Sequence, residues 1–151
     1  MSDADRHNKI ELDPITALES QTLEGCVATL YQNERPLFGL AGLLDWRFQG
    51  ALSSYLRSGA MSGREGECIY APFQSHGRVT HVIFLGCGSN KASGARSVPS
   101  PACVALLRKN LATLTLPKIG ISRADFGTPS ESFFEENFPD HGKGAPLWVC
   151  H

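Results

Sequence analysis

Arg78-Val79-Thr80-His81-Val82-Ile83-Phe84-Leu85 is the stretch whose reading decides the fold. It is short and rich in β-branched residues, and its second half, Val82 to Leu85, is apolar without alternation. A strand of that kind is buried on both faces, as in a parallel or mixed sheet covered on both sides. The covering elements lie on either side of it. Upstream, Leu44, Phe48, Ala51, Leu52 and Tyr55 fall at i, i+4, i+7, i+8 and i+11, one apolar stripe of a helix that Gly59 is placed to end. Downstream, Ser100-Pro101 opens a second helix whose stripe is Cys103, Leu107, Leu111 and Leu114.

Further out, Gly25 to Tyr31, Cys68 to Ala71, Lys118 to Ser122 and Leu147 to Cys150 read as strands. The last is expected near a sheet edge, because Pro146 lacks a ladder donor. Lys9 to Leu12 adds a short strand, and Asp13-Pro14 supplies an N-cap and a first-turn proline. Thr128-Pro129-Ser130-Glu131 reads as a capping box ahead of a short helix carrying Phe133, Phe134 and Phe138, which Pro139 stops. Strands alternating with helices predict an α/β domain with a mostly parallel or mixed sheet. No repeat or linker interrupts it, so residues 9–151 are expected to form one domain behind a polar tail at residues 1–8.

Composition narrows the function classes. With 151 residues, 42% hydrophobic and 19% charged, the chain is an ordinary globular sequence. A net charge of −1 and scattered basic residues argue against a nucleic-acid partner, since phosphate neutralisation supplies most of that affinity. No apolar run reaches the ~20 residues needed to span a bilayer, and the polar, acidic start is unlike a secretory signal. The five cysteines, Cys26, Cys68, Cys87, Cys103 and Cys150, form no CxxC pair. An odd, dispersed set reads as reduced thiols, so the expected compartment is the cytoplasm.

Candidate sites are few. Gly86-Cys87-Gly88-Ser89-Asn90 follows the central strand, and its glycines and bare amides are placed to cradle a phosphate of a nucleotide-like ligand. The third glycine of a dinucleotide fingerprint is missing, and the next helix begins about ten residues on, too late to aim its dipole at the loop. Cys87 is a candidate thiolate with His81 or His76 as the base, or else a small apolar filler. Cys103 belongs to a helix stripe and reads as core. His76, His81, His141 and Cys150-His151 never approach a zinc spacing, so no metal site and no cofactor are expected. Neither GxSxG nor HExxH occurs, so no catalytic residue is assigned. Asp45 at a helix start reads as an N-cap. Phe38, Asp45, Trp46 and Arg47 also form a candidate interaction surface, for Trp and Arg dominate binding hot spots. The plainer account is a crossover packing on the sheet.

The order of these segments resembles a known family. Gly25 to Tyr31, Arg35 to Asp45, Gly63-Arg64-Glu65-Gly66-Glu67 and Val82 to Gly88 together resemble the N-terminal domain of the leucyl aminopeptidases, peptidase family M17. The resemblance runs from about Ile10 to the end of the chain. It implies a macro-domain-like three-layer sandwich, a mixed sheet between helices. It also implies that catalysis is absent, because in that family the two-metal centre lies in a separate C-terminal domain around an NTDAEGR signature that has no counterpart here. Macro domains that bind ADP-ribose carry an NAAN segment and a glycine run, and this sequence has neither. The leading expectation is therefore a non-catalytic interaction or self-association module. The alternative is a nucleotide- or ADP-ribose-like small-molecule binder, and a Cys87-dependent hydrolase ranks last.

Overall fold

A computed structural model describes residues 9–35, 37–75, 77–89, 98–114, 116, 118–138 and 147–150. Residues 1–8, Pro36, His76, Asn90, Pro139, His141, Pro146 and His151, on which sequence readings fell, lie outside the described residues. The elements are β1 (Lys9–Ile10), α1 (Pro14–Glu19), β2 (Gly25–Leu30), α2 (Gly39–Arg47), α3 (Ala51–Ser58) and β3 (Cys68–Ser75). They continue with β4 (Arg78–Gly86), α4 (Pro101–Leu114), β5 (Ile119–Ser122), α5 (Glu131–Asn137) and β6 (Leu147–Cys150). A single 3-10 turn, Ala124–Phe126, follows β5.

The six strands form one sheet in the order β1-β6-β5-β2-β4-β3. Only the β3–β4 pair is antiparallel among the described pairings. The alternation of side chains along β2 and β4 then divides the core in two. Cys26, Ala28, Leu30, Val82 and Phe84 point to one face and pack with Ala17 and Leu18 of α1, Leu40, Ala41 and Leu44 of α2, and Leu52 of α3. Val27, Ile83 and Leu85 point to the other and pack with Cys103, Val104 and Leu107 of α4 and Phe134 of α5. Val82 to Leu85 are at most 1% exposed. The mixed, mostly parallel α/β sandwich expected from that strand is what forms.

Three local expectations need correction. The stripe from Leu44 to Tyr55 is two helices. Gln49 and Gly50 take φ of 58° and 83°, which ends α2 and starts α3 at a new angle. Asp45 lies inside α2 rather than at a helix start, yet its carboxylate caps the next helix, accepting from Ser53 N at 3.0 Å and Ser53 Oγ at 2.5 Å. The Thr128 capping box does not form. Thr128 sits at φ 53° and Ser130 is the N-cap, whose hydroxyl pairs with Ser132 Oγ at 2.9 Å and makes no capping bond. At the other end of the chain Asp13 does cap α1, as read, accepting from Thr16 N at 2.9 Å.

Candidate functional site

β2 is the point at which strand order reverses. The chain leaves it through α2 and α3 for β3 and β4 on one side, then crosses through α4 to β5 on the other. In open α/β sheets, ligands bind in the crevice outside the carboxyl ends of strands at such a reversal. Four segments border that crevice: Tyr31–Arg35 with Leu37 and Phe38 after β2, Ser62–Glu67 before β3, Cys87–Ser89 after β4, and Arg123–Thr128 after β5.

The anchor of the crevice is Asp125, only 3% exposed. Its Oδ2 accepts from Thr29 N at 2.7 Å and Thr29 Oγ1 at 2.9 Å, and its Oδ1 accepts from Leu40 N at 3.3 Å. Leu40 belongs to the first turn of α2, whose amides have no intrahelical acceptor. A buried carboxylate there satisfies one of them and complements the helix dipole. Phe38, the N-cap, offers α2 no side-chain bond and is 59% exposed; Gly39 enters the helix at φ 62°. Gly42 is held close, because a Cβ on it would come within 2.6 Å of the Leu37 carbonyl oxygen.

Two more side chains order the rim. Glu67 accepts from Ser62 N at 2.9 Å and Gly63 N at 2.8 Å, which closes the loop before β3. Arg35 donates to the Tyr31 and Glu34 carbonyls at 3.0 and 2.6 Å and to Ser62 O at 3.3 Å, tying the turn after β2 to that loop.

The Gly86-Cys87-Gly88 amides are occupied. Gly86 N donates to Glu67 O at 2.7 Å, Cys87 N to Leu30 O at 2.9 Å, and Gly88 N to Gly63 O at 2.9 Å. Glycine at position 86 serves a protein contact, for a Cβ there would run into the Arg64 carbonyl oxygen. Of this loop Ser89 is exposed, and Asn90 lies outside the described residues. The helix start at this crevice is that of α2, which the sequence reading did not consider as a ligand site and whose Leu40 amide is held by Asp125. Cys87 is half-buried and directs its Sγ at Leu85 O, 3.5 Å away. His81 sits six residues down the same strand, roughly 20 Å distant at the rise of a strand, and its Nδ1 pairs with Tyr70 OH at 2.7 Å. It does not serve Cys87 as a base. Burial pushes the Cys68 thiol up to about 11 and the Cys150 thiol up to about 12, and raises Cys26 further still.

Of the expected interaction surface, Phe38 and Trp46 are exposed, the latter at 86%. Asp45 is turned inward onto Ser53, and Arg47 Nη1 pairs with Glu19 at 3.0 Å. Leu43, three residues before Trp46 on the same face of α2, is 56% exposed and was not singled out from sequence.

No family model matches the chain, and no curated protein sequence matches it. Solved structures do. The macrodomain of Thermus aquaticus DarG superposes with a TM-score of 0.66 at 12% identity, over 95% of this chain and 97% of that one. The fold is macrodomain-like. The macrodomain of Mycobacterium tuberculosis DarG gives 0.58 at 12% identity, over 85% of this chain and 88% of its own. Thermosipho africanus DarTG, solved in complex with ADP-ribose, gives 0.57 at 7% identity, over 85% of this chain and 38% of that one. A tomato leucine aminopeptidase mutant gives 0.50 at 16% identity, over 95% of this chain and 31% of that one. The macrodomain likeness is thus the stronger of the two, and the aminopeptidase likeness is one of fold. Among the described residues no cluster of three His, Cys, Asp or Glu could hold a metal, and no helix is long and apolar enough to cross a membrane.

Proposed function

We propose that this chain binds a nucleotide-type small molecule, of the ADP-ribose class, in the crevice over the carboxyl ends of β2, β4 and β5. One observation carries the reading: strand order reverses at β2, and the next helix in the chain, α2, begins at that crevice. Helix-start amides and an exposed aromatic, Phe38, stand together there. The amides suit a diphosphate, and an aromatic face suits a base, at about 1–3 kcal/mol per stacked base. A macrodomain-like structure solved with ADP-ribose supports the same ligand class. The test is a calorimetric titration with ADP-ribose, ADP and AMP. Binding is expected for ADP-ribose, weakened about tenfold or more in Phe38→Ala. No heat with any of the three compounds at millimolar concentration sinks the reading.

A second reading is favoured by the outer face of α2. Leu43 and Trp46 are apolar, adjacent and unburied, which fits a protein contact made by a non-catalytic module of the leucyl aminopeptidase N-terminal kind. Sedimentation of the wild type and of Trp46→Glu separates the cases, since a self-associating face must be disrupted by a buried charge. Identical, monomeric behaviour of both removes self-association through this face. All five thiols are free, which supports the cytoplasm as the working compartment.

A further inference from the structure

We infer a second site, for a small oxyanion of the phosphate type, in a cleft at the amino ends of the parallel strands. This is the end of the sheet opposite the crevice of the proposed function, and the two sites stand or fall separately. The cleft has a volume of about 270 Å³ and is lined by Arg47 from the end of α2, Arg78 from the start of β4 and Lys118 from just before β5. His81, Gln21 and Thr80 complete its polar wall.

Charge decides what suits this space. Three cationic side chains from three elements share the lining with one carboxylate, Glu24. The nearby Glu19 is engaged by Arg47 Nη1 at 3.0 Å. That contact uses one of the five N–H donors of a guanidinium. Arg47 Nε is shut away from solvent with no acceptor among the described residues. A buried donor left without an acceptor is rare and calls for a reason. A cation-lined cleft that admits an anion is one, since Arg47 then has acceptors to turn toward.

Backbone geometry points the same way. Lys118 is held at φ 44°, a conformation few residues with a side chain adopt. Its carbonyl accepts from Glu24 N at 2.9 Å, and the Glu24 carbonyl accepts from His81 N at 3.0 Å. These bonds lock three lining residues together, so Lys118 keeps its place without the ligand.

The cleft is small: pockets for drug-sized ligands run to roughly 300–1,000 Å³, and this one holds about 270 Å³. Phosphate, pyrophosphate or a compact phosphorylated compound fits within that limit.

Pyrophosphate is the probe. It is titrated into the full chain while the backbone amide resonances, that of His81 above all, are followed by NMR, against sodium chloride at matched ionic strength, because exposed cations respond to salt alone. The His81 resonance is expected to shift saturably with pyrophosphate and not with chloride. In Arg78→Gln/Lys118→Gln, which alters two exposed side chains, the apparent affinity is expected to fall about tenfold or more. Should the double variant lose its cooperative melt, Arg78→Gln alone carries the comparison. A His81 response equal to that of chloride, or one kept at full affinity in the folded charge variants, overturns the site.

Discussion

Replacing Asp125 by alanine should be among the most damaging single changes outside the apolar core. The carboxylate is 3% exposed and accepts from two backbone amides, Thr29 N and Leu40 N, and from the Thr29 hydroxyl. The hydroxyl keeps a second acceptor, the Asp125 carbonyl at 3.1 Å, but no other acceptor is seen for the two amides among the described residues. A buried donor stripped of its acceptor costs about 1–3 kcal/mol, and the start of α2 loses a carboxylate worth about 0.3–1 kcal/mol. With two donors stripped, these give about 2–7 kcal/mol, or a fall in Tm of roughly 5–28 °C for a domain of this size. Asp125→Asn keeps one acceptor and turns an NH2 toward the other amide, so it should lose about half as much. Urea melts followed by circular dichroism give the free energies, and a cycle with Thr29→Val should show a coupling of about 0.5–3 kcal/mol. A loss below about 1 kcal/mol for Asp125→Ala, with an unchanged denaturant slope, would refute the reasoning. Water would then be reaching those amides, and the carboxylate would not be what joins β2 to α2.

Gly86→Ala should destabilise by about 1–3 kcal/mol, because the new methyl meets the Arg64 carbonyl oxygen; a neutral melt would show that the Ser62–Glu67 loop yields freely. With a thiol-specific reagent at roughly pH 8, near the ordinary thiol pKa, Cys87 should react first and Cys68, pushed up to about 11, slowly. Cys26, Cys103 and Cys150 should stay silent until the chain unfolds, so early loss of a third thiol contradicts the burial described. Asp13→Ala should cost about 1 kcal/mol near neutral pH through loss of the α1 cap. Hydrogen bonds from Thr16 hold the Asp13 carboxyl below its ordinary value. Its contribution is therefore complete above the ordinary value and is lost as pH falls through the lowered one. The gap between wild type and variant should narrow in acid, and a gap that widens contradicts the assignment.

The order of strands and helices was legible in local pattern, since a strand like Val82–Leu85 has one stable setting, between two layers. The break at Gln49-Gly50 was not. The apolar stripe runs on across it, because two consecutive helices can each place their residues on one core. Gly50 was the available signal, and the stripe outweighed it. Asp125 escaped notice for another reason. Its partners are 85 and 96 residues away in sequence, and no local spacing records such a contact. The Gly86-Cys87-Gly88 segment shows the reverse. A glycine pair after a strand marks close backbone approach, but the pattern does not say whether the approaching group is a ligand or, as at Gly86, the chain's own carbonyl.

Pro72 gives the sheet a closed border. It lies in the middle of β3, the outermost strand, opposite His81. His81 donates toward β2, through Glu24 O, so it makes no ladder bond to β3 and the ring nitrogen of Pro72 faces outward. An incoming strand would find a missing donor midway along that border. On the far side, β1 presents only two residues. Growth of the sheet by strand addition, the usual first step of fibrous aggregation, is therefore obstructed at both margins. The helical layers and the strand ends, where the proposed sites lie, carry no such obstruction.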